Sequence, residues 1–162
     1  MTVQLLLALS LWPALVYASQ AAAPGVLSSE LRARVQNGGF GIVSSIRGLP
    51  LGVRYGLQDL FGSTTLDIVE PDVDVQLSDP VATRGRPSRR LIAAGCTTDS
   101  YCLVYYERGG AKHTWHVALF HWTPDKTQFE WGSTAPGGLK TLDEVRKAIL
   151  SGAIKGPQPE AW

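Results

Sequence analysis

An α+β fold is predicted: an antiparallel meander of about five strands, with one or two N-terminal helices and a C-terminal helix packed on it. Three observations lead there. Apolar residues recur at helical spacing before residue 62, they alternate with polar ones in short stretches from residue 65 to residue 132, and a helix-opening pattern follows residue 140.

The elements follow in order. Residues 28–36 belong to a short amphipathic helix, with Leu27, Leu31 and Val35 at i, i+4 and i+8, and Gly38-Gly39 ends it. A second helix is expected over 50–61. Pro50 suits a first turn, Val53, Leu57, Leu60 and Phe61 share a face, and Gly62 is a C-terminal stop. Internal Gly52 and Gly56 oppose that helix, each costing about 1 kcal/mol relative to alanine. From residue 65 the period becomes two. Leu66 and Ile68, then Val73, Val75 and Leu77, predict strand structure interrupted by Pro71 and ended by Pro80. Residues 91–94, 103–107, 114–123 and 128–132 read as four more strands. Their separators fit hairpins: the loop from Cys96 to Cys102, Gly109-Gly110, and Thr123-Pro124-Asp125-Lys126. Thr141 and Glu144 form a capping-box pattern. It opens a helix that turns Leu142, Val145, Ile149 and Leu150 inward, with Gly152 past its end.

The chain has 162 residues, 44% of them hydrophobic and 18% charged. These values suit a globular chain rather than a disordered one or a polytopic membrane protein. A net charge of +1 provides no general attraction to nucleic acid, which is not expected as a partner. Residues 5–16 are apolar except for Ser10, too short a run for the roughly 20 residues of a membrane span. With Val16-Tyr17-Ala18 behind it, the run reads as a signal peptide over 1–18, although no Lys or Arg precedes it. The expected organisation is then a flexible leader over 19–26, one α+β domain over 27–155 and a tail over 156–162. Localisation would be periplasmic or extracellular, with no stable membrane insertion of the mature chain. In an oxidising compartment Cys96 and Cys102 should pair, and their C-x5-C spacing differs from the C-x-x-C of redox catalysis.

Four features bear on chemistry. His113, His116 and His121 lie within nine residues. On a strand His113 and His121 share a face about 26 Å apart and His116 points the other way, so no shared metal is expected, and no cofactor. Solvent-facing or edge-packed histidines are expected instead. No G-x-S-x-G surrounds any serine, and pairing would silence both thiols. Asp99 or Glu107 with a histidine would make an acid/base pair, but nothing singles one out. The chain is therefore not expected to be an enzyme, and a small hydrolase or a metal-binding protein is the residual alternative. Arg84, Arg86, Arg89 and Arg90 form a basic cluster suited to a polyanion or an acidic partner, or to a solvated loop before a strand. Among the aromatic residues, adjacent Tyr105 and Tyr106 must face opposite ways, which leaves at least one a candidate for exposure on the sheet or at an interface.

The order LIAAGC-x5-C-LVYYERGG, HVALFHW, FEW and a C-terminal helix resembles the periplasmic inhibitors of vertebrate (C-type) lysozyme, in pattern over about residues 49–150. The resemblance implies an antiparallel sheet with a helix packed on it and a protruding, disulfide-closed loop that plugs an enzyme cleft. Cys96 and Cys102 match the ends of that loop, and Asp99 matches its acid. The loop here is one residue longer and holds no histidine or lysine. The function expected is an exported binding protein that meets a protein or glycan partner in the cell envelope, inhibiting a lysozyme-like or other envelope-directed enzyme. Its contact residues would be Thr98, Asp99, Ser100 and Tyr101, together with the four arginines. An envelope accessory protein that binds a partner subunit without inhibition is the alternative.

Overall fold

A computed structural model describes residues 26–75, 87–110, 112–154, 156 and 162. The segments expected as signal peptide and leader lie outside these residues up to 25, as do Leu77, Arg84 and Arg86.

The elements are α1 (Ser29–Asn37), β1 (Gly41–Val43), α2 (Leu51–Leu60), β2 (Arg89–Cys96), β3 (Tyr101–Arg108), β4 (Thr114–Trp122), β5 (Thr127–Ala135) and α3 (Leu142–Leu150). The five strands form one antiparallel sheet in the order β1-β2-β3-β4-β5, an α+β meander as expected. Among the described residues no helix is long and apolar enough to cross a membrane.

Local chemistry fixes the helix ends. Ser28 caps α1 by accepting from the Leu31 N–H at 3.2 Å. At α3, Thr141 accepts from the Glu144 N–H at 3.2 Å and the Glu144 carboxylate accepts from the Thr141 N–H at 3.2 Å, a complete capping box. The two helices are then tied together. Arg146 of α3 donates to the carbonyls of Val35 at 2.9 Å and Gln36 at 3.0 Å, groups that the end of α1 leaves without intrahelical partners.

Helices cover both faces of the sheet. Val35 of α1 and Leu142, Val145 and Ile149 of α3 pack against Leu103, Tyr105, Val117, Leu119 and Trp131 on one face. Val53 and Leu57 of α2, with Ile46 and Leu49, pack against Leu91, Val104, Tyr106, Ala118 and Phe120 on the other. Tyr105 and Tyr106 point in opposite directions as expected, yet both are fully buried, so neither candidate for exposure is exposed. One would be exposed on a sheet with one wet face, whereas the central strands here are dry on both.

The two glycines that opposed α2 have a packing role. A Cβ at Gly52 would lie 2.2 Å from Thr127 Oγ1, and one at Gly56 2.9 Å from Phe120 Cε1. The helix rests on β4 and β5 through its own backbone, and that close approach offsets the weak helix propensity of glycine.

The strand structure expected from Leu66 to Val75 is not formed. Among the described residues that segment makes one isolated parallel bridge, Val69 to Arg90, held by Val69 N–H to Arg89 O and Leu91 N–H to Val69 O, both 3.0 Å. Ile68 is buried and Val73 is 42% exposed, so the apolar alternation reflects a chain lying along the sheet rather than joining it. The fifth strand is β1, three residues long and paired with β2 from Gly41 opposite Cys96 to Val43 opposite Ala94. Three residues are too few to display a period, and its central Ile42 is 83% exposed.

Candidate functional site

Two hairpin connections meet at one end of the sheet: residues 97–100 between β2 and β3, and residues 123–126 between β4 and β5. The Trp122 N–H donates to the Ser100 carbonyl at 2.9 Å and joins them. Cys96 and Cys102 face each other in register with Cα atoms 4.1 Å apart, and a disulfide links them as expected. Within the loop, Thr97 N–H donates to Tyr101 O at 2.8 Å, Ser100 N–H to Thr97 O at 3.2 Å, and Tyr101 N–H to Thr97 Oγ1 at 3.1 Å. Ser100 has φ 72°, a left-handed conformation that costs an ordinary residue roughly 1–2 kcal/mol. The surrounding bonds hold it there and set the tip, where Thr98 and Asp99 are exposed.

Arg34 of α1 braces this loop from the side. Its Nη1 donates to Asp99 Oδ2 at 2.5 Å, its Nη2 lies 3.5 Å from Glu30, and its guanidinium sits 4.3 Å from the centre of the Tyr101 ring. The other carboxylate oxygen, Asp99 Oδ1, accepts from Thr97 Oγ1 at 2.5 Å. The Thr97 hydroxyl, with Arg34 adding to it, holds the Asp99 carboxyl below the ordinary aspartate range. Tyr101 is stacked on its far side against His121, with centroids 4.6 Å apart, and burial raises the pKa of its phenol. Between α1 and the loop lies a cleft of about 340 Å³ lined by Arg34, Asn37, Thr97, Asp99 and Tyr101.

Asp99 is an ionised acceptor with two donors already in place, which suits it to charge pairing and not to giving a proton. No loop hydroxyl is hydrogen-bonded to a histidine among the described residues.

Of the sequence-derived contact residues, Thr98, Asp99, Ser100 and Tyr101 are together at this end, with Tyr101 buried beneath the tip. Arg89 and Arg90 are not with them. They open β2 and Cys96 closes it, so about 20 Å of extended chain separates them from the loop. Neither is in a solvated loop, which corrects that reading. Arg89 is 5% exposed, pairs with Asp67, donates to the main-chain oxygen of Trp162 at 2.5 Å and stacks on Phe61. Burial lowers its pKa. Arg90 Nε donates to Glu107 Oε1 at 2.5 Å, and His113 Nε2 lies 2.8 Å from the other oxygen of the same buried carboxylate. Both arginines are held by internal acids.

The histidines are engaged separately. His121 stacks on Tyr101 and His113 meets Glu107 on one face, while His116 lies on the other. His116 is 4% exposed, against the expectation of a solvent-facing or edge-packed ring. It stacks on Tyr106 at 5.3 Å and contacts Thr114 Oγ1 at 2.8 Å. Burial, reinforced by Arg108 and Arg89, lowers its pKa to about 4, so the imidazole is neutral at pH 7.

Arg34 is the site residue that the sequence did not reveal. Its helix turn and its i−4 neighbour Glu30 are legible, but its partner Asp99 is 65 residues away. Comparison with protein-family models, curated proteins and solved structures gave no match for this chain.

Proposed function

We propose that this chain is a non-enzymatic binding module of the cell envelope, which engages a macromolecular partner with the sheet end that carries the disulfide-closed loop. One observation carries the reading: the loop is immobilised before any partner arrives, by Cys96–Cys102, by the Trp122 bond to Ser100 and by Arg34 on Asp99 and Tyr101. A loop held in one shape loses little conformational freedom on docking, so more of its contact energy appears as affinity. Thr98 and Asp99 at the tip supply the first contacts, a hydroxyl and a carboxylate. An exported location fits the pairing of both cysteines and the apolar run at 5–16.

In its specific form, the partner is a lysozyme or another envelope-directed enzyme and the loop obstructs its cleft. The assay is the lytic rate of a panel of lysozymes with this protein in excess. Slowing that is lost in a Thr98→Arg variant supports inhibition, and unchanged rates across the panel end it. Capture of an envelope partner by the wild type but not by Thr98→Arg, with no lytic rate affected, would leave a binding module without inhibition. Arg89 and Arg90 are unsuited to such a test because replacing them breaks buried ion pairs.

A further inference from the structure

The opposite face of the same sheet end carries a second cleft, about 410 Å³ in volume, between α2 and the β4–β5 turn. Its size falls in the range of small-molecule sites. Leu51, Tyr55 and Asp59 project from α2 at i, i+4 and i+8 and form one wall, while Trp122, Asp125 and Lys126 form the other. Gly52 and Gly56 lie at the base where the helix meets Thr127 and Phe120. Leu51 is 54% and Tyr55 57% exposed, an adjacent apolar and aromatic pair at the rim. The turn is tied by Thr123 N–H to Lys126 O at 2.7 Å and by Lys126 N–H to Thr123 Oγ1 at 3.1 Å. The side chains of Tyr55, Asp59, Asp125 and Lys126 make no hydrogen bond or ion pair among the described residues.

We infer that this cleft is a binding site for a neutral saccharide, with a pyranose ring lying on Tyr55. The lining fits that chemical class. Two carboxylates against one ammonium, all three exposed, give the walls a net charge of −1, which disfavours phosphates and other anions relative to a neutral ligand. Charged groups along both walls, without partners among the described residues, penalise a wholly apolar ligand, since covering them without new hydrogen bonds is costly. A neutral ligand with an apolar face and a polar edge satisfies both conditions. A sugar ring has this form: its C–H face packs on the Tyr55 ring and Leu51, and its hydroxyls donate to Asp59 and Asp125 and accept from Lys126. The site stands on residues separate from the loop tip, so it does not depend on the proposed loop function.

The experiment uses the full chain with its disulfide intact, titrated to about 10 mM with chitotriose, cellotriose and maltotriose, an upper limit set by the weak affinity of a shallow site. Amide chemical shifts report where binding occurs. Saturable shifts confined to residues 51–59 and 122–127 with at least one trisaccharide are expected, together with a loss of about tenfold in affinity in Tyr55→Ala and in Asp125→Ala. Thr98→Ala should bind as the wild type does. Both affected residues are exposed, and the unperturbed remainder of the spectrum shows that the variants are folded. Absence of shifts with all three sugars, shifts located instead at the α1–loop cleft, or full affinity in both variants would each overturn the assignment.

Discussion

Arg34 and Asp99 are 65 residues apart in sequence and 2.5 Å apart in space, and their pairing attaches α1 to the disulfide-closed loop. Asp99 is more than half exposed and Arg34 about one third, so water screens the pair and its contribution to stability is about 1 kcal/mol or less. Its larger effect is on loop order. Asp99→Asn should leave the denaturation midpoint nearly unchanged while amide exchange at residues 97–101 accelerates. The sign with pH follows from the lowered pKa: the stabilisation is complete above the ordinary aspartate range and lost as pH falls through the lower folded value. Unchanged exchange in Asp99→Asn would show that the loop is ordered without the Arg34–Asp99 pair, by the disulfide and the main-chain bonds to Thr97 and Ser100.

The disulfide itself is open to a separate measurement. With a sequence separation of 6, cross-linking contributes about 2 kcal/mol in the chain-entropy model. Replacing both cysteines by alanine should lower the unfolding free energy extrapolated from urea titration by about that amount, with the slope slightly increased by the freer unfolded chain. A loss well above about 4 kcal/mol would indicate that buried Cys102, at 0% exposure, matters more through packing than through the bond.

These two contacts show what was legible in the sequence. Cys96 and Cys102 lie in one short window, so the loop was visible, as were the three helices, whose caps and stops are local. Residues 91–94 and 103–107 revealed their strands because each is a short, nearly continuous apolar run bounded by turn residues. By contrast, β1 derives its pairing from β2, more than 50 residues later, and nothing in Gly41-Ile42-Val43 announces it. The segment from Leu66 to Val75 has the composition of a strand and, among the described residues, pairs only at Val69. Arg89 and Arg90 read as a surface cluster because Asp67 and Glu107, the acids that bury them, are 22 and 17 residues away. The cleft beside α2 was hidden for the same reason, since one wall is helix and the other a distant turn.

The approach of Gly52 to Thr127 predicts a coupling. Alanine at 52 improves helix propensity by about 1 kcal/mol, but its Cβ meets Thr127 Oγ1 at 2.2 Å, and overpacking typically costs about 1–3 kcal/mol. Gly52→Ala should therefore destabilise by up to about 2 kcal/mol. In a Thr127→Ala background the clashing oxygen is gone, and the same substitution should be neutral or stabilising. A double-mutant cycle measures the difference. Additive effects would mean that α2 does not rest on β5 at this point.

His116 predicts the acid limb of the stability curve. Its pKa of about 4 in the fold lies below the ordinary histidine value of about 6.5. Above about pH 6.5 the ring is neutral in both the folded and unfolded chain, and its contribution is complete. Between about 6.5 and 4 the unfolded chain takes up a proton that the folded chain, with His116 buried on Tyr106 and flanked by Arg89 and Arg108, excludes. Stability therefore falls with pH across that window, by about 1.4 kcal/mol per unit at most and about 3 kcal/mol in total, and this term is flat below it. His116→Phe keeps a ring on Tyr106 and removes the titrating group. Urea unfolding of the wild type and this variant at pH 7 and pH 4.5 should give a wild type that loses about 2–3 kcal/mol more, because carboxylate titrations are common to both and cancel. Parallel losses would mean that His116 takes up its proton as readily in the fold as outside it.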